Sequence, residues 1–276
     1  MELDLYQPGN IIYTDKYSLK TTDGVTAAII AGHPTQGGYK DANGENARFQ
    51  SITGFIGITA KILIAVDCYN DCLRRIRRDT GLTTTFSGVC TSYGYQDGKQ
   101  VKFKYPYSII RDNQNRNQLL VTDWYNNAIR TVAVSDGSVG TLTKSNTLWR
   151  PRSLIQNTAG DIFVTTYRAV FRIRYTEKTI NLIAGSPTTT GYRDSSLLNS
   201  LFNNPHELIF IQTNKLLIAD DGNNKLRILD LDKHKVTTLN LCNGCVRLGS
   251  PYSIMLINDS LYVGQYRKIL RFKCKF

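Results

Sequence analysis

LIAVDCYNDCLRRI (63–76), LLVTDWYNNAIRTV (119–132) and LLIADDGNNKLRIL (216–229) decide the fold. Each reads as an apolar strand ending on Asp, a short polar turn, and a second strand that carries Arg seven residues after the Asp. The apolar residues follow a period of two rather than 3.6, which marks strands and argues against helix. Three other stretches fit the same frame: IIYTD (11–15), IFVTTYRAVFRI (162–173) and LYVGQYRKILRF (261–272). The anchors Asp15, Asp67, Asp123, Thr166, Asp220 and Gln265 lie 43 to 56 residues apart. A period near 45 residues, filled by short alternating strands, is the signature of a propeller blade.

Each unit parses further. A strand follows Pro in YPYSII (105–110), RPRSLI (150–155), NPHELIF (204–210) and SPYSIML (250–256). The Asp-ending strand and the Arg-bearing strand come next. A fourth strand is read in VTAAIIAG (25–32), LTTTFSG (82–88), VGTLTK (139–144), TINLIAG (179–185) and VTTLNL (236–241). The expected fold is therefore all-β: one domain over 1–276, a six-bladed β-propeller of four-stranded antiparallel blades. ELDLY (2–6) has two placements. It is either the first strand of blade 1, leaving blade 6 with three strands, or the outer strand that closes blade 6.

A second motif stands between blades: GGYKDANGENARF (37–49), YGYQDGKQVKF (93–103) and TGYRDSSLLNSLF (190–202). With the Asp-turn-Arg frame, it gives the chain a resemblance to the NHL-repeat propellers over essentially its whole length. The resemblance is uneven. Blades 4 and 6 shorten the turn by one residue, carry Thr166 and Gln265 in place of Asp, keep Arg172 and Arg271, and lack the long loop before them.

The repeated pairs Asp67–Arg74, Asp123–Arg130 and Asp220–Arg227 read as architecture, because an Asp at a strand end accepts turn N–H bonds and an Arg across the hairpin pairs with it. Asn70, Asn126 and Asn223 read as turn chemistry in the same way. Tyr39, Tyr95 and Tyr192 are expected to pack between blades. The residue after each blade-opening Pro is expected at the channel mouth. Those positions hold Thr53 (where Ile52 replaces Pro), Tyr107, Arg152, His206 and Tyr252, a varied set suited to gripping a ligand. Lining a wet channel is the plainer alternative.

No catalytic residue is assigned. The peptide-amidating lyase resembles NHL propellers and holds zinc through Pro-His positions like that of His206. A catalytic zinc needs about three protein ligands, which Tyr107, Arg152 and Tyr252 do not supply. His33 and His234 lie in other turns. No metal or other cofactor is expected.

The chain carries 34 Lys and Arg against 22 Asp and Glu, a net charge of +12, and 16 Tyr. That balance favours anionic partners. The start, MELDLYQPG, has no basic or apolar leader region, and no run is long enough to cross a bilayer. Among six cysteines, antiparallel pairing about Asp79-Thr80-Gly81 sets residue 72 opposite residue 88, which predicts a Cys72–Cys90 disulfide. Cys242 and Cys245 form a C-x-x-C without a matching ligand pair, and Cys68 and Cys274 have no assigned partner. A disulfide, with Asn258 in an Asn-Asp-Ser sequon, points to an extracellular or cell-surface place; a cytoplasmic one is the alternative. The expected function is a non-enzymatic binding module that presents a propeller face to a protein or glycan partner. The NHL resemblance implies RNA binding as the alternative.

Overall fold

The computed structural model describes residues 1–3, 9–241, 248–265 and 268–273. The chain is an all-β six-bladed β-propeller with antiparallel blades of three to five strands. Its residues group into two compact units, Met1–Ser145 and Asn146–Phe276.

The first unit holds blades 1 to 3. Blade 1 is Glu2–Leu3, Ile11–Asp15, Ser18–Thr22 and Ala27–Gly32. Its first strand pairs through Glu2↔Ile12 and Leu3↔Ile11, so the start of ELDLY joins blade 1; residues 4–8 lie outside the described residues. Blade 2 is Ile52–Thr59, Ile62–Asp67, Cys72–Arg77 and Thr83–Ser87, and blade 3 is Pro106–Arg111, Gln118–Asp123, Ala128–Ala133 and Val139–Lys144.

The second unit holds blades 4 to 6. Blade 4 is Leu154–Gln156, Ile162–Thr165, Ala169–Ile173 and Ile180–Gly185. Blade 5 is Pro205–Gln212, Lys215–Asp220, Lys225–Asp230 and Lys235–Thr238, with a fifth short strand, Ser195–Ser196, paired to its outer edge. Blade 6 has three strands, Ser253–Ile257, Ser260–Gln265 and Lys268–Lys273. The four-strand expectation thus needs correction at blade 5, while the three strands of blade 6 follow the first of the two placements of ELDLY. Ser195 and Ser196 sit in a loop with no apolar alternation to announce a strand; they pair because the loop lies along the free edge of Lys235–Val236. Among the described residues blade 6 has no fourth strand, since Glu2–Leu3 pairs in blade 1.

The cores lie between neighbouring blades. Ile64, Val66 and Leu73 of blade 2 pack on Leu119, Val121 and Val132 of blade 3, with Phe103 from the loop between them. Phe202 fills the same place between Phe163 and Val170 of blade 4 and Leu216 and Ile218 of blade 5. Each buried Phe contributes about 1.5–3 kcal/mol by leaving water. Among the described residues helix is confined to single 3-10 turns such as Cys68–Asn70, Trp124–Asn126 and Asp221–Asn223. Among the described residues no helix is long and apolar enough to cross a membrane. Cys72 and Cys90 form a disulfide that ties the blade 2 hairpin to the segment that follows it. Cys242, Cys245 and Cys274 lie outside the described residues.

Candidate functional site

Three blades carry the same buried cradle. Arg74, Arg130 and Arg227 are each 0% exposed. Each donates through Nη1 to the strand-end carboxylate: Asp67 at 2.9 Å, Asp123 at 2.7 Å and Asp220 at 2.7 Å. Through Nη2 each donates to the loop carboxylate, Asp41 at 2.5 Å, Asp97 at 2.5 Å and Asp194 at 2.7 Å. Loop carbonyls of Lys40, Gln96 and Arg193 accept from the same nitrogens. The turn Asn closes the arrangement. Asn70, Asn126 and Asn223 each donate to the strand-end Asp and to a loop carbonyl, that of Gly38, Gly94 or Gly191. Burial pushes the Asp67 and Asp220 carboxyls up and Asp123 up to about 6, opposed in each case by the Asn and Arg bonds. A buried guanidinium that must be paired and hydrogen-bonded explains why loop, turn and strand recur together.

Tyr39, Tyr95 and Tyr192 do not disappear between blades. Each ring lies over the Arg of the blade its loop introduces, 4.7 to 5.0 Å from the guanidinium, and remains exposed. Each hydroxyl meets the Thr paired across from that Arg: Thr85, Thr141 or Thr238.

Arg172 and Arg271 are not equivalents of these arginines. In blades 2, 3 and 5 the Arg stands opposite the residue two before the Asp, as in Ala65↔Arg74, Val121↔Arg130 and Ile218↔Arg227. The shorter turns place Arg172 opposite Phe163 and Arg271 opposite Tyr262, three before Thr166 and Gln265. With a period of two, one residue moves a side chain to the other face. The cradle position goes to Phe171 and Leu270, opposite Val164 and Val263. Arg172 is left half-exposed, 4.0 Å from Asp161, and Arg271 donates to Ser260.

The five expected mouth residues fall into two groups. In the first unit, Thr53 Oγ1 donates to the Tyr107 carbonyl at 2.6 Å. Tyr107 begins an aromatic cluster: its ring is 6.0 Å from Trp124, which is 4.6 Å from Tyr125. Tyr105 touches Trp124, Tyr125 and Tyr69 edge-on. The Lys104 ammonium reaches the Tyr93 and Tyr125 rings. Tyr69, Tyr93 and Tyr125 are 52%, 64% and 40% exposed. Tyr105, Trp124 and Tyr125 were not singled out by sequence, although Tyr and Trp in two successive turns (Cys68-Tyr69-Asn70 and Trp124-Tyr125-Asn126) are a readable signal.

In the second unit, Arg152, His206 and Tyr252 come together. Arg152 Nη1 is 2.5 Å from His206 Nε2, and the His206 and Tyr252 rings meet edge-on at 5.4 Å. Arginine only donates, so Nε2 accepts and the ring is neutral. Burial, with the Arg152 charge, holds the His206 pKa well below its usual value. Asp221 lies 3.6 Å from the same nitrogen and accepts from Asn204 at 2.7 Å; burial raises its carboxyl. Glu207 accepts from the Ile254 N–H at 2.6 Å, and burial raises its carboxyl too. His33 Nδ1 accepts N–H bonds from Thr35 and Gln36 in its own turn. Among the described residues no three His, Cys, Asp or Glu gather to hold a metal.

No family model matches the chain, and no curated protein matches it. Solved structures do. A chain of a nidogen/laminin complex superposes with a TM-score of 0.68 at 13% identity, over 96% of this chain and 89% of that one. An auxiliary nutrient binding protein from Bacteroides ovatus gives 0.71 at 12%, over 98% and 68%. Virginiamycin B lyase from Staphylococcus aureus gives 0.61 at 14%, over 95% and 76%. At such identity the likeness is one of fold alone, and that fold carries both binding proteins and a lyase.

Proposed function

We propose that the chain is an extracellular, non-enzymatic interaction module of the NHL-propeller kind that presents blade turns to a protein or glycan partner. The observation that carries this reading is the exposed aromatic cluster of blades 2 and 3. Tyr69, Tyr93 and Tyr125 expose large rings beside Trp124 and Lys104. Exposed, pre-packed Tyr and Trp supply contact area at little entropic cost, the usual make-up of binding hot spots. The groups nearest to catalytic chemistry are committed elsewhere: the His206 lone pair accepts from Arg152, and Glu207 holds a backbone N–H. The Cys72–Cys90 disulfide supports the extracellular part. Solved propellers described as a nidogen/laminin complex and a nutrient binding protein make a binding role familiar for this fold.

The test is an array of glycans and matrix proteins probed with the wild-type chain and with Tyr69→Ala/Tyr125→Ala. Binding that weakens at least tenfold in the double variant supports the reading; no binding to any array member removes it. Mass mapping of native material without reductant tests the compartment, and free thiols at Cys72 and Cys90 would overturn it. The net charge of +12 supports RNA as a second reading. Single-stranded RNA retained on a filter at low salt, with affinity falling steeply as salt rises, would favour it.

A further inference from the structure

Blade 2 carries cations that its sister blades lack. Lys61, Arg75 and Arg77 stand where blade 3 has Asn117, Thr131 and Ala133, and where blade 5 has Asn214, Ile228 and Asp230. All three line one open cleft of about 480 Å³, together with Ile62 and Leu82. Small-molecule sites occupy roughly 300–1,000 Å³. Strand pairing explains why these side chains converge. Ile62 stands opposite Arg77, and Arg75 opposite both Ile64 and Thr84. Residues directly opposite share a face, as do residues two apart. Ile64, on that same face, packs into the core shared with blade 3. Arg74 and Ile76 point the other way, to the cradle and to the blade 1 core. The cleft is the open continuation of a core-bearing face, with Thr59 and Thr84 at its sides.

The wall that carries Thr59 and Lys61 is held by the fold itself. Arg78 Nη1 donates to the Ala60 carbonyl at 3.1 Å, and the Arg78 N–H donates to the Lys61 carbonyl at 3.0 Å. Arg111 of blade 3 donates through Nη2 to the Ile58 carbonyl at 3.1 Å. The Lys61 N–H closes the turn on Thr59 Oγ1 at 3.3 Å. Charge in the cleft is only partly met. Arg77 is paired with Asp79, which accepts from its Nε at 3.3 Å and its Nη2 at 2.9 Å. Among the described residues the Lys61 ammonium and the Arg75 guanidinium meet no carboxylate and no hydrogen-bond acceptor, and both side chains are exposed. Three cations thus face one carboxylate, beside the apolar side chains of Ile62 and Leu82.

We infer that the blade 2 cleft binds a small phosphate monoester that carries an apolar body. Such a head group holds nearly two negative charges at neutral pH, which matches the two cations left without a carboxylate. Arg75 offers a planar fork and Lys61 a mobile point charge, a combination that grips a tetrahedral oxyanion. Ile62 and Leu82 cover the apolar body. A nucleic-acid strand fits less well, because it is gripped through bases stacked on rings and no aromatic residue lines the cleft. This inference goes beyond the interaction-module reading and uses none of the residues of the blade 2 and 3 aromatic cluster.

The experiment is calorimetric titration of the full chain with naphthyl phosphate, inorganic phosphate and naphthol. The expected result is that the ester binds at least tenfold tighter than either fragment, and more weakly as salt rises. Lys61→Gln/Arg75→Gln lowers that affinity tenfold or more at an unchanged thermal midpoint, since both side chains are exposed. Leu82→Ser weakens the ester and leaves inorganic phosphate alone. Dispersed dihexanoyl phosphatidic acid separates the two sources of this chemistry. If it binds tighter than naphthyl phosphate and is lost in the double Gln variant, the ligand is a lipid phosphate; if weaker, a soluble ester. Equal affinity of the wild type and the double Gln variant for naphthyl phosphate would overturn the site. Inorganic phosphate held as tightly as the ester would reduce the cleft to a plain anion patch and sink the proposal, as would no binding of either ester. Tyr69→Ala/Tyr125→Ala should leave these titrations unchanged, so this site and the module reading can each fail alone.

Discussion

Blades 4 and 5 share one compact unit and one strand frame, yet treat arginine in opposite ways. In blade 5, Arg227 is fully buried between Asp220 and Asp194, under the Tyr192 ring. In blade 4, Phe171 takes that position, Arg172 turns to the other face, and Arg168, Arg150 and Arg152 lie against the half-buried turn aromatics Trp149 and Tyr167. The residue type and strand order are the same, but one arginine is paired with two carboxylates inside the fold and the others pack against turn aromatics. The difference teaches that what an arginine does here is set by turn length and by whether a loop carboxylate arrives to meet it.

The largest effect that can break this comparison is removal of a cradle arginine. Arg227→Leu leaves the buried Asp220 without its guanidinium and is expected to cost about 3–5 kcal/mol in denaturant unfolding. Thr166→Ala, at the matching position of blade 4, removes a hydroxyl that donates to the Ala169 carbonyl at 3.2 Å and is expected to cost only about 1 kcal/mol. Equal losses would mean that the two blades are not differently built. Next comes Cys90→Ser. The disulfide closes a sequence separation of 18 residues, and its loss is expected to cost about 2–4 kcal/mol, read as a lower thermal midpoint.

His206 sharpens the comparison on the blade 5 side. Its folded pKa lies well below the 6.5 of the free side chain, so below pH 6.5 the unfolded chain takes up a proton that the folded chain refuses. Stability should fall on acidification from pH 7, by at most about 1.4 kcal/mol for each pH unit below 6.5 from this group. His206→Gln should flatten that slope relative to wild type; parallel pH profiles would refute the assignment. Smallest of all, Tyr192→Phe removes the hydroxyl that meets Thr238 but keeps the ring on Arg227, and about 0.5–1 kcal/mol is expected from chemical unfolding.

How far this was legible in the sequence depends on the range of the determinant. The six-blade frame reads off directly, because each strand repeats a local period of two between Pro, Asp and turn residues. Cys72–Cys90 is legible for the same reason: the hairpin register that puts Leu73 opposite Ser87 follows from one short turn. Arg172 and Arg271 mislead because letters align where faces do not; pairing, not identity, decides which side chain enters the core. The fifth strand at Ser195–Ser196 depends on an edge supplied by a segment 40 residues later, which no local pattern reports. The Trp149 and Tyr167 cluster needs two turns to meet in space. Its one local trace is a pair of aromatic-Arg dipeptides, Trp149-Arg150 and Tyr167-Arg168, that break the repeat at the same blade.

The shortened hairpin at Thr166-Tyr167-Arg168-Ala169 also bears on how such a chain could be redesigned. Adding or removing one codon in a hairpin exchanges which alternate side chains a blade sends inward and outward, and the apolar residue needed inside is already the neighbour of the polar one it replaces. A single-residue insertion there, with Thr166→Asp, should therefore convert an outward-facing blade toward a self-neutralised one. Turn length acts as a two-position selector, written into each repeat separately and adjustable without rebuilding the strands around it.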